Sequence, residues 1–202
     1  MTQIPLPLEI QAIRGASRIV VGEANRVAIE ALSDPRRWPF RAAVLVGAPR
    51  SGKSLLARWF SNCGAGDALD DAHLTAEPDV FHAWNRAQET QRPLLLTAFS
   101  GWKAQLPDLA SRLGGSLQIE IEPPDDELIA DLIAAHAEQR GLALGEGAAA
   151  YLVPRLERSF AAVEAVVAAI DRISLERQVA ATMSVWRDAL DAVQGPEQGR
   201  LL

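Results

Sequence analysis

The amino-acid sequence predicts an α/β fold, in which a three-layer domain with a short parallel sheet is followed by a small helical domain. Short apolar runs alternate with segments of helical periodicity up to residue 122, a pattern typical of a parallel sheet flanked by helices. A glycine-rich motif links the first buried run to a helix. After Pro123 and Pro124 the segments have helical periodicity throughout, so the sheet is predicted to end there.

Four apolar runs are the predicted strands. RAAVLVGA at 41–48 and LLLTA at 94–98 are buried strands, and SLQIEIEPP at 116–124 alternates apolar with polar side chains. GDALDD at 66–71 is a short and weak strand candidate. Helices are predicted between these runs at 51–62, 79–91 and 106–115.

The predicted domain boundaries follow from this pattern. Residues 1–14 form an extended N-terminal segment, in which prolines exclude a helix interior. Residues 15–122 form the predicted α/β domain that contains the glycine-rich motif, and residues 123–202 form the predicted helical domain. Gly141 is the predicted end of the first helix of that second domain.

Composition excludes several classes of protein. The 202 residues are 49% hydrophobic and carry a net charge of −6 with a pI near 5.1, so the chain lacks the basic surface of a stand-alone DNA-binding protein. We expect DNA to be reached only through a partner. The single Cys63 cannot form an internal disulfide. Since no signal peptide and no membrane-spanning run is recognisable, a cytoplasmic protein without membrane association is expected.

The motif that carries chemistry is GAPRSGKS at 47–54, which fits the Walker A pattern G-x-x-x-x-G-K-[ST]. It follows a strand and opens a helix, so backbone N–H groups can cradle phosphates while Lys53 reaches the β and γ oxygens and Ser54 ligates Mg²⁺. The alternative is a glycine-rich turn, but Lys53 is one of only two lysines in the chain, which favours function. The predicted nucleotide-binding residues here are Gly47, Pro49, Arg50, Ser51, Gly52, Lys53, Ser54 and Leu55.

Three further segments identify a resemblance. IVVGEANRVAIEAL at 19–32 resembles the segment that precedes the P-loop in the DnaA/Hda family of AAA+ ATPases, the bacterial replication initiator and its short paralogues. LPDLASRL at 106–113 resembles the box VII segment of that family, and 155–172 resembles its sensor 2 helix. The resemblance covers nearly the whole chain and implies an AAA+ domain with a helical lid.

The N-terminal hexapeptide QIPLPL at 3–8 resembles the peptide with which short members of this family dock on the sliding clamp of the replicative polymerase. Prolines stiffen the peptide, so it loses little entropy on binding, while leucines fill apolar pockets. The alternative is a disordered or strand-capping terminus. The residues assigned to the clamp are Gln3, Ile4, Leu6, Pro7 and Leu8.

The resemblance also assigns catalytic roles at the strand ends. Asp70 matches the Walker B aspartate that holds Mg²⁺ together with Ser54, although it could be an exposed loop acid. Asp71 stands where a catalytic Glu is common, and its shorter side chain predicts weak ATPase activity of the chain's own. Thr97 matches sensor 1, which bonds the γ-phosphate or water, although a Thr that ends a strand is commonplace.

Two arginines are assigned with rival interpretations. Arg112 matches the arginine finger, which acts on a neighbour's γ-phosphate and should contribute little to folding; its alternative is a cation that complements the helix dipole. The sensor 2 position falls near Ala161, so Arg158, one turn earlier, is the predicted replacement. Val20, Val21 and Asn25 are predicted to lie against the adenine, although Asn25 could instead cap a helix.

The short spacing between the two nucleotide motifs is the main departure from the family. Sixteen residues separate Lys53 from Asp70, which leaves room for one helix and one short strand. The strand and helix usually found between these motifs are therefore absent, and the predicted sheet has four strands or barely five.

The function implied by the resemblance is negative regulation of replication initiation. The protein, loaded with ADP or ATP and Mg²⁺, would dock on the DNA polymerase sliding clamp and stimulate hydrolysis of ATP held by DnaA; it could also form a homodimer. The first alternative is a truncated DnaA-type or loader-type ATPase, although the chain lacks a basic helix-turn-helix module after the lid. The second is a small-molecule P-loop kinase, which would leave LPDLASRL unexplained.

Overall fold

A computed structural model describes residues 19–195 of the protein. The predicted clamp-binding peptide at 3–8 and the whole of the predicted segment 1–14 lie outside these residues. The α/β part contains the helices and strands α1 (Glu23–Ser33), β1 (Ala42–Gly47), α2 (Lys53–Asn62), β2 (Asp67–Leu69), α3 (Glu77–Thr90), β3 (Leu94–Phe99), α4 (Pro107–Gly115) and β4 (Leu117–Ile121). The helical part contains α5 (Asp126–Arg140), α6 (Ala148–Leu152), α7 (Phe160–Arg177) and α8 (Met183–Gln194).

The four strands form one parallel sheet in the order β2-β3-β1-β4. Ala42 pairs with Leu94 of β3 and Ala43 with Leu117 of β4, so β1 is hydrogen-bonded on both sides. The weak run GDALDD supplies the three-residue edge strand β2, which starts opposite Leu94. Among residues 19–195 the sheet is short, parallel and four-stranded, which confirms the prediction of four strands or barely five at its lower number.

Alternation along β1 separates two apolar layers. Ala43 and Leu45 pack with α1 and α2, including Phe60, which is fully buried. Ala42 and Val44 face the other side and pack with α3 and α4. Because helices cover both faces, the strands are apolar on both sides, as buried parallel strands must be. This arrangement is the predicted three-layer domain.

The helical domain has its own core, and each long helix begins at a polar cap. The Asp125 carboxylate accepts from the N–H of Leu128, and the Ser159 hydroxyl accepts from the N–H of Ala162. Gly141, predicted as a stop, ends α5 with φ of 64°. The core residues that these helices bury include Ile133, Leu152, Val163, Val166, Ile170 and Trp186.

The two parts share apolar contacts at their junction. Leu128 of α5 and Phe160 of α7 are buried in the same cluster as Ile29, Leu56 and Ile121 of the α/β part. The N-termini of two lid helices are therefore anchored against the sheet domain beside α1 and α2. Among residues 19–195, no helix combines the length and apolarity that a membrane span requires.

The short connection from α2 to β2 depends on Gly66. A Cβ at this position would lie 2.6 Å from the Phe60 ring and closer still to the carbonyl oxygen of Pro93. That oxygen accepts a hydrogen bond from the N–H of Asp67. We therefore expect Gly66→Ala to lower the free energy of unfolding by roughly 1–3 kcal/mol, as overpacking of a core does, measured by urea denaturation.

Gly114→Ala is the matched control, because a Cβ at Gly114, inside α4, would meet no atom within 4 Å. Alanine favours a helix over glycine by about 1 kcal/mol, so this variant should be as stable as the wild type or more so. Equal stability of Gly66→Ala and the wild type would contradict the close approach.

Candidate nucleotide-binding site

The Walker A segment forms a strand–loop–helix unit at the carboxyl edge of the sheet. Strand β1 ends at Gly47 and α2 begins at Lys53, with Gly52 at φ of 91° before the helix. A Cβ at Gly52 would meet no atom within 4 Å, so glycine suits this position because of the positive φ and not because of close packing. The N–H groups in the first turn of a helix lack intrahelical partners and bind phosphate readily. The loop geometry fits this role.

The ammonium group of Lys53 lies at the mouth of this loop. Its Nζ donates to the carbonyl oxygens of Gly47 and Ala48, both at 2.8 Å. Burial lowers the pKa of Lys53, while the carboxylates of Asp71 and Asp70 act in the opposite direction. The structure thus brings the predicted phosphate-binding cation and the two predicted acids to one place.

The two acids are held by Thr97, which is fully buried at the end of β3. The Thr97 hydroxyl donates to Asp70 Oδ1 at 2.5 Å and accepts from the N–H of Asp71 at 2.9 Å. Asp71 has φ of 49°, in the left-handed region. Both hydrogen-bonding functions of the hydroxyl are therefore used to fix the residues after β2. The contact favours a role in positioning the acids over one as a free donor to phosphate.

A cavity of about 480 Å³ lies between this loop and the helical domain. One side is polar and formed by the residues of the loop and the start of α2 together with Asp71. The other side is apolar where Ile19, Val20, Leu132 and Phe160 contribute. Cavities of this size with a few placed polar groups are typical of small-molecule sites. The donor set and shape fit a nucleotide, with phosphates at the polar side and a base at the apolar side.

Asn25 shapes the segment before α1. Its side-chain amide donates to the carbonyl oxygen of Val20 at 2.7 Å, and its Oδ1 accepts from the N–H of Gly22 at 3.0 Å. Asn25 also lines the cavity, so its role at the start of α1 is compatible with the predicted place against the adenine. Val20 lines the cavity as well, whereas Val21 is half exposed and contributes to a different surface pocket.

The lid side of the cavity differs from the sequence prediction. Arg158 is not among the lining residues, because its guanidinium pairs with Asp126 at 3.0 Å. Ala161, the aligned position, is exposed. Instead α7 contributes Phe160 and Glu164, one helical turn apart.

Sequence reasoning missed a second group of lid residues, on α5. Leu132, His136, Gln139 and Arg140 line the cavity, and their spacing places them on one face of a helix. Burial lowers the pKa of His136; the Glu164 carboxylate raises it, and the Arg140 and Arg50 guanidinium groups lower it. The helical spacing of these four residues was the signal in the sequence that could have identified them.

Arg112 lies at the opposite edge of the sheet from the cavity. Helix α4 leads into the start of β4, and a Cβ at Gly115 would lie 3.0 Å from Phe40, which precedes β1. The Walker A loop follows the other end of β1. Arg112 therefore cannot serve the cavity of its own chain.

The surroundings of Arg112 change one expectation from the sequence. Its guanidinium lies over the rings of Phe81 and Trp84, at 4.5 and 4.6 Å from the centroids, and donates to Asn85 Oδ1 at 2.7 Å. These contacts join α4 to α3, so Arg112 contributes to stability, contrary to the expectation that it does little for folding.

The geometry of Lys53 predicts a loss of nucleotide binding in Lys53→Ala. A ligand raises the melting temperature only through the folded state that binds it, so added ADP should stabilise the wild type and Lys103→Ala but not Lys53→Ala. Lys103 is exposed and does not line the cavity, which makes it the matched lysine control. Equal melting shifts in all three proteins would contradict the assignment of Lys53.

Comparison with known proteins finds a matching family model for the helical part and solved structures with the same fold. Residues 125–190 match the family model described as "Hda, lid domain". Domain III of the Thermotoga maritima replication initiation protein DnaA superposes with a TM-score of 0.71 at 14% identity, over 88% of this chain and 95% of that one.

Two further solved structures share the fold at lower similarity. A replication initiator DnaA bound to AMPPCP and single-stranded DNA matches with a TM-score of 0.60 at 17% identity, over 79% of this chain and 66% of that chain. The Thermotoga maritima RuvB Holliday junction branch migration motor matches with a TM-score of 0.61 at 13% identity, over 88% and 73%. The resemblance to the DnaA/Hda-like AAA+ family is thereby confirmed: the chain has the fold of DnaA domain III, and its residues 125–190 match the model of the Hda lid domain.

Proposed function

We propose that the protein binds ADP or ATP with Mg²⁺ and negatively regulates the initiation of chromosome replication, by docking on the polymerase sliding clamp and stimulating ATP hydrolysis by DnaA. The single observation that carries the proposal is the cavity between a Walker A loop and a lid that matches the Hda family. A DnaA of the same fold is bound to AMPPCP, a nucleotide analogue, which supports a nucleotide as the ligand here.

Each part of the nucleotide has residues suited to it. The phosphates would be held by the N–H groups at the start of α2 and by Lys53, and Mg²⁺ by Ser54 and Asp70, with Thr97 fixing Asp70. Bound Mg²⁺ neutralises phosphate charge. The base would lie on the apolar side, against Val20 and Leu132 among others.

The position of Arg112 favours action on another protein. An arginine finger stabilises the charge that develops on a γ-phosphate, and Arg112 lies at the sheet edge away from its own cavity. A neighbouring DnaA that presents its nucleotide to the α3–α4 surface would complete the site. Asp71 is one methylene shorter than Glu and would orient an attacking water poorly, so hydrolysis by the chain itself is expected to be weak. Neither role requires the protein to contact DNA directly.

The clamp contact is tested by a pull-down on sliding clamp with the full chain. Gln3→Ala combined with Leu6→Ala should abolish retention, because the peptide loses a polar contact and an apolar anchor. ADP-induced thermal stabilisation of the same variant should equal that of the wild type. Undiminished retention by the double variant would contradict the docking assignment.

The finger role predicts that Arg112→Ala loses stimulation of DnaA. The expected loss is on the order of 10³-fold in the stimulated hydrolysis rate per folded molecule, measured as single-turnover hydrolysis of ATP bound to DnaA in the presence of DNA-loaded clamp. The variant should also be less stable by about 1 kcal/mol, since its cation–π contacts are lost.

Two controls separate chemistry from packing in that assay. Phe81→Leu removes one ring that contacts Arg112 but leaves the guanidinium, so it should lower stability and retain most of the stimulation. Arg86→Ala removes an exposed arginine of α3 and should change neither. Undiminished stimulation by Arg112→Ala, per folded molecule, would identify the residue as a packing cation only.

A further inference from the structure

One side-chain contact bridges the Walker A loop and the lid. Arg50 Nε lies 3.0 Å from Glu164 Oε2. Arg50 is part of the loop, and Glu164 is on the second turn of α7. Both residues line the cavity, so the ion pair spans the opening between the two domains beside the proposed nucleotide.

The backbone at Arg50 is in a conformation that glycine adopts more easily. Arg50 has φ of 66°, in the left-handed region, which is unfavourable for an L-residue with a Cβ and not for glycine. A glycine would satisfy the turn, but it would provide no guanidinium for Glu164.

Other charged side chains lie near the Arg50–Glu164 ion pair. The Glu164 side chain is 25% exposed and that of Arg50 is 66% exposed. His136 and Arg140 of α5 line the same cavity. Glu164, Arg140 and Arg50 all influence the pKa of His136, so the Arg50–Glu164 pair belongs to a group of charged side chains from the loop and the lid.

We infer that Arg50 and Glu164 are positioning residues, whose ion pair latches the lid to the Walker A loop and slows the release of bound nucleotide. The inference rests on the proposed nucleotide site and adds to it the contact that keeps the site closed. Because ion pairs with exposed members contribute little and are screened by salt, the latch opens readily. Its effect is on the lifetime of the complex, while Lys53 and the loop backbone provide the affinity.

The test is a stopped-flow measurement of the release of a fluorescent ADP, N-methylanthraniloyl-ADP, from the full-length protein. Arg50→Asn and Glu164→Gln should each speed release roughly two- to fivefold, the range that one such ion pair supplies. Asparagine tolerates positive φ, so the loop conformation is kept. The double variant should release no faster than the faster single variant, because both changes remove the same contact.

Three further measurements test whether this ion pair itself sets the release rate. Glu176→Gln removes a carboxylate of the same helix that pairs with Arg172 at 3.7 Å, and its release rate should equal that of the wild type. Added salt should speed release from the wild type by a larger factor than from the double variant, because only the wild type has this ion pair to be screened. The melting temperatures of the variants without nucleotide should stay close to that of the wild type.

Several results would overturn the inference. Unchanged release from either single variant would show that the pair does not hold the lid, and multiplicative effects in the double variant would show that the residues act independently. Slower release from Glu164→Gln would show that Arg50 contacts the phosphates once freed. If the wild type bound no fluorescent ADP, the proposed nucleotide function would fail together with the latch. If the wild type bound it and Lys53→Ala did not, the nucleotide function would stand, and the release rates alone would decide whether the latch exists.

Discussion

The parallel pairing of β1 between β3 and β4 is the constraint on which the site depends. Parallel strands end at a common edge of the sheet. Three sites that are far apart in the sequence therefore converge there: the Walker A loop after β1, the acids after β2 and Thr97 in β3. The bond from the Thr97 hydroxyl to Asp70 and the bond it accepts from Asp71 then fix the acids against the sheet. A side chain without a hydroxyl at position 97 would leave both groups without this partner.

The helical domain completes what the sheet begins. Leu128 and Phe160 are buried in the core of the α/β domain, and the faces of α5 and α7 that follow them line the cavity. The apolar contacts fix the start of each helix on the α/β domain. The proposed latch, Glu164 with Arg50 opposite, lies farther along α7 and at the cavity itself.

Local patterns in the sequence were sufficient to predict much of the fold and the phosphate side of the site. The apolar run of β1 and the spacing within GAPRSGKS predicted the strand, the loop and the helix. The sixteen residues between Lys53 and Asp70 predicted a sheet of four strands or barely five, and residues 19–195 form four. Lid residues were harder to predict. Arg158 has the right helical spacing but pairs with Asp126, and the choice between alternative acidic partners depends on tertiary geometry. The Arg50–Glu164 pair joins residues that are far apart in the sequence, and no periodicity encodes such a contact.

The central claim is that one nucleotide is held jointly by the Walker A loop and the lid. Amide hydrogen exchange of the full chain, with and without saturating ADP and Mg²⁺, tests it most directly, because exchange reports local opening in each element separately. Joint binding predicts slower exchange on nucleotide addition in residues 47–56 and also in the cavity-facing parts of α5 and α7, around residues 132–140 and 160–166. Protection confined to the loop, or absent from both regions, would contradict it.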